Sequence, residues 1–422
     1  MNVALLSTFD TLGGAAIATY RLHQGLQSIG VCSNLVVQSK KSDDCTVLGP
    51  RSKLEKIAAR FRPHLDGLAN KIYWRRDKAL FSAALLPDRL ASRVIEIKHD
   101  VIHLFWVSGG FLKIETLREF NRPIIWTLHD MWPFTGGCHY DNECRRFQQS
   151  CGTCPILHSE NEHDLSRYIW ERKRKSWENI PITVVATSHW LADMARSSSV
   201  FRNRRIEVIP NGINTDKYKP IQKKIARATW SLPQDKHLIL FSAFSATSDK
   251  RKGNQFLMPA LERMAKAGWN ENTELVIIGA SGPENSSEFG MKVHYMGHLH
   301  DEESQVLLYS AADVTVAPSM QENLSNTVME SLACGTPVVA FNIGGMPDLI
   351  SHQKSGYLVA PFDINELASG IAWILEDKAR HDSLSQFARQ TVMERYASKV
   401  VANQYLTLYQ DVVKSSLISE KL

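Results

Sequence analysis

The chain has 422 residues, 44% hydrophobic and 22% charged, which excludes a disordered chain and is too long for one ordinary core of roughly 100–200 residues. Its formal net charge of +5 is too mild to mark a nucleic-acid-binding protein, and no stretch approaches the ~20 apolar residues that cross a bilayer. The opening MNVALL lacks a basic leader and runs straight into the polar STFDT. It therefore reads as a buried strand rather than a signal peptide, and the expected location is the cytoplasm, in solution or at the inner face of the membrane.

Short apolar, β-branched runs alternate with helical stretches from end to end. Strands are predicted at 2–7, 34–38, 101–107, 123–128 and 181–187, then at 237–243, 274–279, 292–296, 313–317 and 337–341. Runs buried on both faces and separated by helices indicate parallel sheets with crossover helices, and two series of five indicate two α/β domains. The joint falls in VIPNGINTDKYKP, residues 208–220, where two prolines and Asn-Gly break the periodicity. The expected division is 1–208, 209–400, and a last helix over 401–422 that packs back on the first domain. Leu406, Tyr409 and Val413 share one face of that helix. Parallel sheets of this kind bind ligands at the carboxyl ends of their strands, so the chemistry is expected in the loops after strands.

After the first predicted strand, TFDTLGGAAIATYRLHQGL sets Gly13 and Gly14 at the start of an amphipathic helix. There the backbone could come close to a ligand, although Gly-Gly also serves ordinary turns. From 51 to 98, twelve Lys/Arg face five Asp/Glu, a local charge of +7, interleaved with Phe61, Tyr73, Trp74 and Phe81. RYIWERKRK over 167–175 adds a second basic patch with Tyr168 and Trp170. Cationic faces with interfacial aromatics fit contact with an anionic membrane, and plain solvated helix faces carry the same pattern.

His129-Asp130 closes the predicted strand IIWTL. A histidine there can hydrogen-bond a sugar or phosphate, with Asp130 orienting it or lining an acceptor site; the plainer alternative is a cap or a satisfied histidine. Cys138, Cys144, Cys151 and Cys154 come next, with spacing C-x5-C-x6-C-x2-C. Four thiols so close could hold a structural zinc with no position open for catalysis, set against free thiols or disulfides. No Ser–His–Asp or Cys–His set stands at the expected loops.

In the second half, SDKRKGNQFL puts Arg251 and Lys252 before Gly253. After the predicted strand 313–317 comes PSMQENLSNTVMESLACGTPVVAFNIGGMPDLI, with Glu322 and Glu330 separated by seven residues. A helix is predicted over 323–334, which places Glu330 about two turns along, roughly 12 Å of rise beyond Glu322. The first amides of such a helix, at Asn323, Leu324 and Ser325, suit a phosphate, and the two carboxylates suit sugar and ribose hydroxyls. An ordinary surface helix with two glutamates is the bland alternative.

This segment resembles the donor-site signature of the family-four retaining glycosyltransferases, enzymes of GT-B architecture. The resemblance implies two facing Rossmann-like parallel-sheet domains with the active site in the cleft between them. It implies that Glu322 lies near the donor sugar and Glu330 at the ribose. Lys252 would contact the pyrophosphate, Gly13 and Gly14 would lie beside the phosphates and acceptor, and His129 would stand by the sugar. Many relatives carry an arginine where this chain has Ala246, and Arg251 is the expected substitute. The stretch around His129 and the cysteines is similar to a subset from colanic-acid and other surface-polysaccharide pathways.

The resemblance further implies a metal-independent, retaining transfer in which the acceptor attacks the face the nucleotide leaves and the diphosphate assists deprotonation. The implied partners are a UDP- or GDP-linked sugar and a saccharide or lipid-linked acceptor, with no nucleic acid. Two alternatives stay open: an epimerase or phosphorylase on the same architecture, or a non-catalytic, zinc-stabilised binding subunit.

Overall fold

The computed structural model describes residues 1–242, 250–282, 290–299 and 301–419. Every strand pairing in it is parallel. Seven strands form the first sheet: β1 (Asn2–Phe9), β2 (Cys32–Ser39), β3 (Val47–Leu48), β4 (Val101–Leu104), β5 (Ile124–Leu128), β6 (Ile182–Ala186) and β7 (Ile206–Val208). Their order is β3-β2-β1-β4-β5-β6-β7. Six form the second: β8 (His237–Ser242), β9 (Thr273–Ile278), β10 (Val293–Tyr295), β11 (Val314–Ala317), β12 (Val338–Phe341) and β13 (Gly356–Val359), in the order β10-β9-β8-β11-β12-β13. The chain divides into two compact units, Met1–Gly212 with Val401–Leu422, and Ile213–Val400. Each is a Rossmann-like α/β domain.

The strands read as continuous apolar runs because helices cover both faces of each sheet, and the alternation of side chains splits every strand between two layers. In the second unit Leu238 and Leu240 enter one core with Val276 and Val338, while Ile239 and Phe241 enter the other with Ile277 and Val339. The first unit does the same, with Ala4 and Leu6 on one side and Val3 and Leu5 on the other.

The last helix, Ser398–Ser419, closes the second of those layers by burying Val401, Tyr405, Leu408 and Tyr409 against β1 and β2 residues. A polar chain runs through this apolar contact: buried His103 meets the Tyr409 hydroxyl and Thr127 Oγ1, each at 2.7 Å, and Thr127 meets the Tyr405 hydroxyl at 2.9 Å. Removing one member would leave a buried polar atom without its bond, at about 1–3 kcal/mol. Among the described residues no helix is long and apolar enough to cross a membrane.

Strand order reverses between β1 and β4 in the first sheet and between β8 and β11 in the second. The carboxyl ends of strands at such a reversal open a crevice, because the crossover helices leave toward opposite faces. In the second unit that point is bordered by the turn Lys250–Lys252 and the loop from Pro318 to Ser325; in the first, by the loops after β1, β4 and β5.

Candidate functional site

At the reversal of the second sheet, the Lys252 ammonium lies 2.7 Å from Glu322 Oε2. The two side chains keep 27% and 15% of their surface in solvent, so the pair is reachable from one side. Each partner is placed by backbone packing that only glycine permits. Gly253 has φ +78°, and a Cβ there would fall 1.7 Å from the Pro318 carbonyl oxygen. The Met320 amide adds a 2.7 Å bond to the Arg251 carbonyl, so the turn carrying Lys252 is fixed to the chain leaving β11. On the other side Gly344, at φ +51°, would bring a Cβ within 2.0 Å of the Glu322 carbonyl oxygen, which also accepts a bond from the Gly345 amide at 3.1 Å. Two close approaches thus hold a cation and a carboxylate together from opposite sides.

The helix after this loop runs Asn326–Ala333, three residues later than the sequence predicts. The reason is local: Ser325 is the cap, its side chain accepting from the Val328 amide, so Asn323, Leu324 and Ser325 are loop rather than first turn. Glu330 is therefore little more than one turn inside the helix, not two turns from its start. It is buried, and the Tyr309 hydroxyl donates to its Oε2 at 3.1 Å. Burial first, and then the Glu330 charge, push the Tyr309 phenol well above its usual range, which keeps it a donor. Leu324 turns into the hydrophobic core, leaving its backbone alone for a ligand. Asn323 is buried too. Ala246 lies outside the described residues. Arg251 is exposed beside Lys252.

In the first unit Gly13 precedes the helix Gly14–Ser28, and the space beside its Cα is open. His129 stands at the end of β5, stacked at 6.0 Å on Phe105. Burial lowers its pKa to about 4, against an upward pull from Asp130, so the ring is neutral at physiological pH. Asp130 is a positioning group for a different histidine. Its carboxylate meets His139 Nδ1 at 2.6 Å, Trp106 Nε1 at 2.8 Å and the Trp132 amide at 2.9 Å.

Two things here escape the sequence. Ser82 Oγ lies 2.9 Å from His139 Nε2, so a Ser–His–Asp set does form, from residues far apart in the chain. All three members are buried, with Trp132 Nε1 donating to the Ser82 carbonyl, and the set locks the loop after β5 rather than offering a nucleophile. Beneath it Lys173, expected on a solvated basic face, is fully buried. Its ammonium donates to the Trp132 carbonyl and, at 3.0 Å, to that of Thr135, and lies 3.8 Å from the centre of the Trp132 ring. Neighbouring Arg172 is taken up by Glu115. The patch at 167–175 is thus divided, with Lys173 inside and Tyr168, Arg174 and Lys175 exposed.

The four cysteines of the expected zinc site lie near enough to raise one another's pKa, but they do not stand as a ready metal site. Cys138, Cys144, Cys151 and Cys154 are all free, and among the described residues no group of three or more His, Cys, Asp or Glu could hold a metal ion. Cys138 pairs through its backbone with Phe81, the Cys144 amide donates to the Asp141 carbonyl at 3.1 Å, Cys151 packs beneath Gly136, and the Cys154 amide donates to Asp164. Burial also pushes the Cys138 thiol well up and that of Cys151 to about 12.

Likeness to known proteins divides at the same place as the two units. The family model described as Glycosyltransferase Family 4 matches residues 12–217, and that described as Glycosyl transferases group 1 matches 236–377. The D-inositol 3-phosphate glycosyltransferase of Corynebacterium aurimucosum is 26% identical over 78% of this chain and 77% of its own. N-acetyl-alpha-D-glucosaminyl L-malate synthase of Bacillus anthracis is 24% identical over 55% and 60%. Among solved structures, sucrose-phosphate synthase from Thermosynechococcus elongatus superposes with a TM-score of 0.68 at 21% identity, covering 98% of this chain and 99% of that one. Anabaena HepE in complex with UDP gives 0.66 at 16%, covering 97% and 100%. These likenesses identify the fold as GT-B.

Two outcomes are expected from this geometry. Gly253→Ala should cost about 1–3 kcal/mol through the forced clash, whereas Gly268→Ala, at φ +89° with nothing within 4 Å, should cost less. Denaturant unfolding of the two variants makes the comparison, and equal losses would contradict the packing argument. The second concerns pH. Burial also holds His23 at about 4, so His23 and His129 both bind a proton more readily unfolded than folded. Stability is therefore lost as pH falls from about 6.5 to 4, by at most about 1.4 kcal/mol per unit for each histidine. Urea midpoints across that range should show a shallower slope in His23→Gln and in His129→Gln; an unchanged slope in both would refute the neutral, buried state.

Proposed function

The chain is a glycosyltransferase of the GT-B group, matched over most of its length by the family-four and group 1 models, and on that premise we propose a retaining enzyme that moves a sugar from a nucleoside diphosphate sugar to a lipid-linked saccharide in surface-polysaccharide assembly. The observation that carries the proposal is the Lys252–Glu322 pair at the strand-order reversal. A cation beside a carboxylate suits a ligand with a diphosphate at one end and hydroxyls at the other. In this reading the ammonium moves to the diphosphate and offsets the charge that grows on it as the glycosidic bond breaks, with Arg251 alongside. Glu322, released from its partner, accepts from hydroxyls of the donor sugar. Glu330, one of its oxygens already bonded to Tyr309, offers the rest of its lone pairs to the ribose.

The neutral ring of His129 suits a hydrogen bond to the sugar better than a pairing with phosphate, and the open space at Gly13, with Gly14 next to it, suits phosphate or acceptor. In the retaining transfer proposed, the acceptor attacks from the face the diphosphate leaves, and the diphosphate takes its proton. Support for a uridine donor comes from HepE, solved with UDP and with UDP-glucose; a GDP-sugar is the other candidate. The enzyme would work in the cytoplasm, at the inner face of the membrane, where such acceptors are held.

The test is a thermal-shift screen against UDP, GDP and ADP, each with and without its sugar. A nucleotide that binds only the folded chain stabilises it by about 2.7 kcal/mol at a hundredfold excess over Kd. One base should raise Tm in the wild type and fail to do so in Lys252→Ala and Glu330→Ala. No shift with any nucleotide would contradict the donor site.

A further inference from the structure

We propose that the helix Lys53–Asp66, with the turn Gly67–Ile72 and Trp74 after it, is an in-plane docking surface for a membrane containing anionic lipid. It rests on the proposed function only for the acceptor's lipid carrier; the surface is an observation in its own right.

The helix is amphipathic the wrong way round for a core helix. Leu54, Ile57, Phe61 and Leu65 recur at i, i+3, i+7 and i+11 and so share one face, yet they are 79%, 55%, 55% and 47% exposed. The side that meets the protein is small or polar. Ala59 and Asp66 are buried, and Arg62 Nε donates to the Gly110 carbonyl at 2.7 Å. A Cβ on Gly109 would touch the Pro63 ring at 3.7 Å. The apolar stripe continues past the helix through Ile72 and Trp74, 79% and 80% exposed. Folded chains rarely leave so many large apolar side chains adjacent and in water unless something covers them.

Charge decides what covers them. Lys53, Lys56, Arg60 and Lys71 are exposed along the same stretch, and the Arg75 guanidinium lies 4.5 Å from the centre of the Trp74 ring. An apolar ridge beside cations is the pattern of a helix lying at the depth of lipid headgroups, its ridge among the acyl chains and its cations on phosphates. A second copy of the chain would instead set one +7 segment against another. The anchor on Gly109 and Gly110 also ties the helix to the carboxyl end of the first sheet: Thr8 Oγ1 donates to the Ser108 carbonyl at 2.7 Å and Gln38 Nε2 to that of Gly109 at 3.0 Å. Docking by this helix brings the loops around Gly13 toward the interface where a lipid-linked acceptor resides.

Sedimentation of the full chain with vesicles of phosphatidylglycerol and phosphatidylcholine, and of phosphatidylcholine alone, tests this. Binding is expected to the anionic vesicles, to weaken with added salt, and to fall about tenfold or more in Ile57→Ser/Phe61→Ser/Leu65→Ser and measurably in Trp74→Ala. These side chains are exposed, so the melting temperature and any nucleotide-induced shift should stay at wild-type values, which separates loss of docking from loss of the donor site. No pelleting with anionic vesicles overturns the proposal, as does binding indifferent to both variants. A dimer in sedimentation equilibrium that the triple variant dissolves overturns it in favour of a second copy.

Discussion

The ion pair between Lys252 and Glu322 is the contact on which the proposed chemistry of the second unit depends, and it depends in turn on two places where no side chain fits. Gly253 against the Pro318 carbonyl and Gly344 against that of Glu322 bring three separate loops to van der Waals distance. As a partly exposed pair it adds only about 0–1 kcal/mol to stability. Its worth is positional. A cation and a carboxylate are kept within reach of solvent at the point where the strand order reverses, and either can exchange its partner for a ligand at small cost.

The first unit is built on the opposite principle. There a set of polar groups is buried and paired: Asp130 holds His139, Trp106 and Trp132, while Lys173 holds the carbonyls of Trp132 and Thr135 from below. Such networks are costly to break and stiffen what they connect. The loop that leaves β5 at His129 is the beneficiary.

How much of this was legible in the sequence depended on whether the signal was local. Ten strands announced themselves as apolar runs; β3, β7 and β13 did not, having only two to four residues each and owing their conformation to the strand alongside. Glu322, Glu330 and Lys252 stood out through their spacing and flanking glycines. The helix start did not, because Ser325 and Asn323 are both competent caps and only the fold selects between them. The cysteine spacing suggested a metal, but among the described residues no group of three or more His, Cys, Asp or Glu stands ready to hold one. Ser82 and Asp130 meet through His139 across some fifty residues, which no periodicity reveals. Lys173 in a run of four basic residues looked solvated; its neighbour Trp132 gave it a site inside.

The central claim is that the Lys252–Glu322 pair works on a nucleotide-sugar. Release of nucleoside diphosphate from UDP- and GDP-linked sugars, followed in the wild type and in Glu322→Gln, addresses it most directly. That substitution keeps the size of the side chain and removes the charge that holds Lys252. The account predicts slow release from one donor in the wild type, accelerated by acceptor, and a loss of about a hundredfold or more in Glu322→Gln, a cost of roughly 2.7 kcal/mol in the barrier. Release at the same rate in both proteins would contradict it.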